Sequence, residues 1–274
     1  MLDIKRIPFG AWIGLILTGL LVICALFAPW IAPHGNGAIV GDVWEPMSST
    51  HLLGTDNLGR DLLSRMLYGA RITIFIAGMA TALSFSLGAI LGFTAAVLGG
   101  LVDMLMSRIV DLLMAIPTLI FGLVVLSVLP SSNVTLILVM GILSSTRVYR
   151  LSRAVAADIN AMDFVEAAKL RGEGLGWIIF REILPNALSP LVAELGLRFI
   201  FSVLFLSALS YLGLGVQPPD VDWGGMVMEN KDGIVFGIPA ALIPAAAIAA
   251  LAISVNLIAD WVLTRTTSLK GGRD

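Results

Sequence analysis

Five stretches of the chain, residues 7–41, 72–102, 112–146, 199–219 and 233–259, hold no Asp, Glu, Lys or Arg. A helix crossing the hydrocarbon core of a bilayer needs roughly 20 mainly apolar residues, and each stretch can supply one. The first span is expected over 11–31, after Lys5 and Arg6, and the second within 72–98. A cleaved secretory signal would also begin with basic residues, but its apolar region runs only about 7–15 residues, shorter than this one. The stretch 112–146 would make a single helix roughly 52 Å long, well beyond a core of about 30 Å. Pro130-Ser131-Ser132-Asn133 offers a tight turn inside it, which divides it into spans over 112–129 and 134–150. With a fifth span over 191–215 and a sixth over 236–263, the pattern predicts an all-α polytopic membrane protein with six transmembrane helices.

An even number of spans puts both termini on one side. If that side is cytoplasmic, the inner segments hold Lys5, Arg6, Arg108, Arg147, Arg150, Arg153, Lys169, Arg171, Arg181, Arg265, Lys270 and Arg273. The outer loops then hold only Arg60, Arg65, Arg71 and Lys231. Basic residues favour the cytoplasmic side, so both termini are expected there. Reading 112–146 as one span would move the segment 147–181 outside, against the same rule. The chain thus divides into a segment 1–31 with the first span and an extracytoplasmic loop 32–71 with a short helix over 62–68. A core of five spans follows over 72–263, including a cytoplasmic loop 151–190, and a tail over 264–274.

Composition narrows the function classes. Residues are 58% hydrophobic and only 13% charged, where a soluble domain carries about a quarter charged. A net charge of −2 gives no basic field for nucleic acid, and membrane lipid is the expected surrounding. Cys24 is the single cysteine and His34 and His51 share one loop, so no cysteine-based zinc cluster or HExxH site can form. No phosphate loop surrounds any of the four lysines. The chain is therefore expected to bind no cofactor or metal of its own and to catalyse nothing; work on a gradient would be driven from outside or by ions.

The loop between the fourth and fifth spans is long, and it divides into parts. Residues 148–169 have helix-forming composition, Gly172, Gly174 and Gly176 then permit a stop, and a short apolar helix over 177–184 ends at Pro185. Ala167 and Ala168 present little side chain, Glu166 a charge, and Phe164 and Leu170 apolar anchors, a combination suited to helix-in-groove recognition. A surface hairpin packed on the protein's own spans fits the same pattern.

Glu166-Ala167-Ala168, three residues, Gly172, and then Leu184-Pro185 resemble the EAA loop of permease subunits in ATP-driven, binding-protein-dependent importers. Glu182 stands where that family usually has an apolar residue or histidine. His51 to Asp61 (His51-Leu52-Leu53-Gly54-Thr55-Asp56-Asn57-Leu58-Gly59-Arg60-Asp61), followed by Ser64-Arg65 and Gly69-Ala70-Arg71, is similar to the outer loop of the C-type permease of the dipeptide, oligopeptide and nickel importers. Tyr211-Leu212-Gly213-Leu214-Gly215, with Gln217-Pro218-Pro219 and Trp223-Gly224, is a third likeness. The family's usual ending is altered to Ala259-Asp260-Trp261-Val262-Leu263-Thr264-Arg265. The resemblance implies a type I permease fold and an inward carrier of dipeptides or oligopeptides, with nickel or another small peptide-like solute as the alternative. It also implies a second homologous permease, one or two ATPase subunits that bind ATP and magnesium, and an extracytoplasmic substrate-binding protein. Glu166, Ala167, Ala168, Gly172, Leu184 and Pro185 would form the ATPase-docking loop, with the hairpin 163–184 as a lever.

Other charged positions carry local readings. Asp56, Asn57 and Asp61 lack the alternating ligand order of a calcium loop, so Asp56 or Asp61 is expected to cap the helix over 62–68. The two histidines are expected to be solvated. Glu194 and Arg198 lie one helical turn apart and can pair, as a structural pair near a gate or as a substrate contact. Pro117, Pro239 and Pro244 can kink spans, and Met104, Met106 and Met114 suggest core packing. An ion-driven carrier would need carboxylates or broken helices at mid-membrane, and the centres of these spans are free of charge. A membrane enzyme would need a clustered nucleophile, acid–base pair or metal, and no such cluster stands out.

Overall fold

The computed structural model describes residues 8–268. Lys5, Arg6, Lys270 and Arg273 of the charge count lie outside the described residues, as do the ends of the expected segments 1–31 and 264–274. Ten helices follow one another: α1 (Phe9–Ile31), α2 (Leu62–Leu98), α3 (Gly100–Ala115), α4 (Thr118–Val128), α5 (Asn133–Asn160), α6 (Asp163–Leu170), α7 (Leu175–Trp177), α8 (Leu184–Tyr211), α9 (Trp223–Asn230) and α10 (Leu242–Ser268). Among the described residues no strand forms; isolated bridges join Ile39 to Arg60 and Thr55 to Asp61. Five helical stretches are long and apolar enough to cross a membrane, and α3 with α4 makes a sixth if the bent pair counts as one span.

That bent pair covers the third span expected over 112–129, and the kink expected at Pro117 is a sharp one. The two helices meet at 87°, and the cause is local. A residue before proline is pushed out of the helical region, and Ile116 is extended at φ −90°, ψ 130°. Pro117 then starts α4, which has 11 residues and reaches only about 16 Å.

Elsewhere the expected breaks are absent. The short helix over 62–68 and the second span are one helix, α2, capped by Asp61, whose carboxylate accepts from the Ser64 N–H at 2.8 Å. The fourth span runs on into the expected loop 151–190 as far as Asn160. Pro185 ends nothing: it lies in the first turn of α8, where a missing N–H is no loss. Pro239 opens a short 3-10 turn and Pro244 falls in the first turn of α10, so both start a span rather than kink it.

Packing is organised around α2 and α5, the most extensively apposed pair. Two glycines of α2 make this possible. A Cβ on Gly88 would stand 2.7 Å from the Ser145 carbonyl oxygen, and one on Gly92 would stand 2.7 Å from that of Tyr149. Backbones this close leave no room for a side chain; α8 packs on both helices and α1 on α2, and α10 packs against α8 and α1. Among the described residues four hydrophobic clusters form: one at the α9 end around Trp223 and Met226, a middle one around Met140 and Leu206, an inner one at the α6 end around Phe93, Ile159 and Ile183, and a small one of Ala95, Val110 and Tyr149. Met106 and Met114 pack beside Val110 and Tyr149, as a core role requires, while Met104 is exposed.

Candidate functional site: the α6 hairpin and the charged ends of the spans

Helix α6 is amphipathic within two turns. Val165 and Ala168, three residues apart, are fully buried against the inner cluster of Phe93, Ile159, Ile178, Ile179, Ile183 and Leu191. Glu166 and Ala167 face outward, and Phe164 and Leu170 are exposed beside them. The two alanines therefore divide: Ala168 seats the helix and Ala167 opens its outer face. Asp163 and Glu166 stand in the first turn and Lys169 in the last, each sign matching the helix dipole.

Gly172 ends α6 with a left-handed turn at φ 84°. Its N–H bonds the Lys169 carbonyl at 2.9 Å, and the Glu173 N–H bonds that of Ala168 at 3.2 Å. This double bond pattern is a Schellman cap, which demands a residue that tolerates positive φ. Beyond α7 the chain widens into a π-turn over Ile178–Ile183. Pro185 follows directly, and in a regular helix its ring would press on the carbonyl four residues back. The wider turn takes up that conflict. Leu184 is half-buried at the edge of the inner cluster and Pro185 is exposed.

Glu182 acts within the hairpin. Its carboxylate lies 3.8 Å from Arg171 across the turn and accepts from Trp177 Nε1 at 3.4 Å. Arg181 stacks 5.1 Å from the Trp177 ring. The residue that departs from the family pattern thus closes the two arms on each other.

Arg198 and Glu194 meet on α8 at 2.6 Å, in a close ionic contact rather than an aligned hydrogen bond. Arg198 also stands 4.9 Å from the centre of the Phe201 ring, and Arg147 of α5 approaches the same ring at 5.7 Å. One turn further along α5, Arg150 pairs with Asp111 at 2.5 Å and Arg153 grips Asp103 with two hydrogen bonds. The sequence reading had the pair Glu194–Arg198 but not Phe201 or Arg147; the i,i+3 spacing of Arg198 and Phe201 was the available signal.

At the opposite end of the spans, the loop 32–61 is tied down by a buried ionic network. Asp56 is fully buried, accepts from the Leu58 N–H at 2.8 Å and the Arg60 N–H at 3.0 Å, and pairs with Arg60 and Arg65. Both arginines also reach Glu229 of α9. Burial works against the Asp56 carboxylate, yet the two backbone N–H groups and the two guanidiniums hold it below its ordinary 3.8. Asp61, not Asp56, is therefore the cap. His51 is buried, contrary to the expectation of a solvated side chain, and sits 3.5 Å from Asp61. Asp222 caps α9 through the N–H groups of Gly224 and Gly225. Burial pushes its carboxyl up to about 6 and the Glu229 charge adds to this, against the opposing Ser210 hydroxyl and the two N–H groups. Arg60 and Arg65 stand in the quoted loop motif without a role assigned from sequence, and Glu229 is not quoted, although Asp56 and Arg60 stand at i,i+4. Among the described residues no group of three or more His, Cys, Asp or Glu side chains is placed to hold a metal ion.

Comparisons with known proteins agree with this geometry. A family model for the "binding-protein-dependent transport system inner membrane component" matches residues 62–268, from the first residue of α2 to the last of α10. A second, for the "N-terminal TM domain of oligopeptide transport permease C", matches residues 10–41. The chain is 34% identical to a di/tripeptide transport system permease protein of Pseudomonas aeruginosa, over 92% of this chain and 85% of the relative. It is 37% identical to a putative peptide transport system permease protein of Brucella suis, over 90% and 84%. To the dipeptide transport system permease protein of Escherichia coli it is 36% identical, over 80% and 76%. The chain belongs to the family of binding-protein-dependent transport system inner membrane components, the permease subunits of ABC transporters, and is a multi-pass protein of the inner membrane.

Proposed function

We propose that this chain is one of two different permease subunits of an importer that carries dipeptides or oligopeptides inward, driven by ATP hydrolysed on partner subunits. The observation that carries this reading is α6: a short helix seated by Val165 and Ala168 in the inner cluster, with Glu166 and Ala167 turned outward. The names of the relatives supply the solute class. Both termini are cytoplasmic, and α3 with α4 counts as one broken span, giving six. The ATPase docks on the outward face of α6, with Leu184 and Pro185 at the far end of the docking loop. A substrate-binding protein docks outside on the folded loop 32–61 and α9.

The lever follows from the packing. Closing of the ATPase pair displaces α6, and a close-packed cluster passes displacement on rather than absorbing it. Ile159 belongs to α5 and Leu191 to α8, so both spans move with α6. Gly172 shapes the hairpin and does no chemistry. ATP thereby biases a two-state arrangement of the spans, as any coupled carrier requires.

Gentle purification of the tagged chain from its native membranes, with mass spectrometry of co-purifying chains, tests this. A second permease and one or two ATPases are expected, with the ATPases lost when E166A and G172V are combined. A chain that purifies alone and transports peptides in vesicles without ATP would overturn the reading.

A further inference from the structure

Arg147 lies 14 residues into α5 and Arg198 lies 13 residues before the end of α8. At 1.5 Å per residue both stand about 20 Å from the outer ends of their helices, within a hydrocarbon core of about 30 Å. Their guanidiniums converge on one ring: Phe201 has Arg198 at 4.9 Å and Arg147 at 5.7 Å. The single carboxylate of this group, Glu194, is taken by Arg198 at 2.6 Å. Arg150 and Arg153, further along α5, each have an aspartate of α3. Among the described residues no carboxylate lies within ion-pair distance of Arg147, and its side chain is exposed on the helix surface together with Phe201.

An unpaired guanidinium facing acyl chains is costly, and ionisable groups at this depth face a polar path or a partner. Snorkelling toward the cytoplasm does not account for Arg147. Side chains on a helix lean toward its N-terminus, and α5 starts on the outer side under the orientation proposed above, so the stem leans inward from the cytoplasmic face. The ring beneath the guanidinium also holds it there by a cation–π contact. An exposed cation beside a ring, with no carboxylate of its own, matches an anionic group such as a carboxylate.

We infer that Arg147, backed by Phe201 and Arg198, forms a station on the translocation path that receives the carboxylate end of the passing solute. This rests on the importer reading above and names the group of the solute that the permease itself recognises. Arg198 is held by Glu194 and keeps the ring in place; Arg147 is the binding group. A station with one uncompensated positive charge gives an anionic end a favourable stop, while the exposed stacking surface leaves it free to depart.

The sole cysteine, Cys24, makes the test direct. The importer is assembled with its partner chains in proteoliposomes from a C24S background carrying R147C, and treated with membrane-impermeant methanethiosulfonates bearing an ammonium or a sulfonate. The expected results are reaction of R147C from the aqueous phase, protection by alanyl-alanine, and at least tenfold weaker protection by its C-terminal amide. The ammonium adduct should restore uptake to within about twofold of the C24S parent, and the sulfonate adduct should lower it tenfold or more. R147K should keep uptake within about twofold and R147Q should not, which covers the case in which R147C fails to assemble. Absence of reaction from water, equal uptake by both adducts, equal protection by peptide and amide, or loss of the second permease on changing Arg147 would each overturn the station. Reactivity is read without any solute, so failure of the C24S parent to import peptide with ATP would count against the importer reading instead.

Discussion

Arg65 Nη1 lies 2.6 Å from Glu229 Oε2, joining the first turn of α2 to α9 across 164 residues of chain. The same nitrogen bonds Asp56, so the outer loop, the second span and α9 share one guanidinium. The three segments, which also share the hydrophobic cluster around Trp223 and Met226, are thereby fixed to one another. Breaking a buried pair from one side typically costs about 3–5 kcal/mol, because a charge is left behind unpaired. Arg60 remains on Asp56 at 2.6 Å, so R65M should cost about 3 kcal/mol, read as a lowered thermal midpoint of the detergent-purified complex. R65M combined with D56N removes the stranded charge and should recover part of the loss. Asp56 is held below 3.8 in the folded chain, so its contribution is present above that value and is lost as pH falls through its lower, folded value. A network intact at pH 5 and failing only below about pH 4 is the expected profile.

Asp222 behaves in the opposite sense. Its folded value of about 6 lies above the ordinary 3.8. The stability it contributes is complete below 3.8 and is lost as pH rises through about 6, because the buried carboxyl must then ionise. The difference corresponds to about 3 kcal/mol between the two limits. The Gly224 and Gly225 N–H groups bond different oxygens of Asp222, so D222N carries no charge but keeps an acceptor for only one of them. It should raise the thermal midpoint at pH 8, leave it nearly unchanged at pH 4, and flatten the profile between. A variant that lowers the midpoint at pH 8 would mean that Asp222 is paired when charged.

Gly172 separates shape from stability. Nothing stands within 4 Å of a Cβ added there, so the only cost of G172A is the left-handed backbone at φ 84°, roughly 1–2 kcal/mol. That strain falls on the Schellman cap and hence on the angle between α6 and the wide turn. G172A should shift the midpoint by only a few degrees and lower ATP-coupled uptake severalfold. G172N, which tolerates positive φ better, should lie between the two. Equal losses of stability and transport across the series would remove any special role for the turn.

How much of this was written in the sequence differs by level. Apolar length alone located five of the spans, because a bilayer sets the length of a helix regardless of its neighbours. Over 112–129 Pro117 marked a break, but a proline alone does not say whether a helix bends gently or by 87°. The run from Leu175 to Tyr211 misled the reading: Pro185 looks like a stop until the π-turn before it is seen to absorb the conflict. Motif spacing brought Glu166, Ala167 and Gly172 to one hairpin, yet spacing could not divide Ala167 from Ala168, whose burial depends on α2, α5 and α8. The Asp56–Arg65–Glu229 network was beyond reach, because Glu229 lies 164 residues from Arg65 and no local spacing joins them.

Val165 and Glu166 make the sharpest contrast, since they are neighbours with opposite duties. Val165 is fully buried in the inner cluster, and V165A removes two methyl groups at about 0.8 kcal/mol each, plus the cavity they leave. It should therefore cost about 2 kcal/mol and lower the thermal midpoint. Glu166 is exposed and has no ion-pair partner among the described residues, and exposed substitutions usually change stability by under about 0.5 kcal/mol. E166A should leave the midpoint unmoved, yet it should lower recovery of the ATPase with the tagged chain and ATP-driven uptake tenfold or more. If the outward face of α6 were only a solvated surface, E166A would be silent in both assays, and V165A alone would impair transport in proportion to its loss of stability. Measuring the two variants side by side, with ATPase recovery normalised to folded permease, decides between a docking face and a surface hairpin.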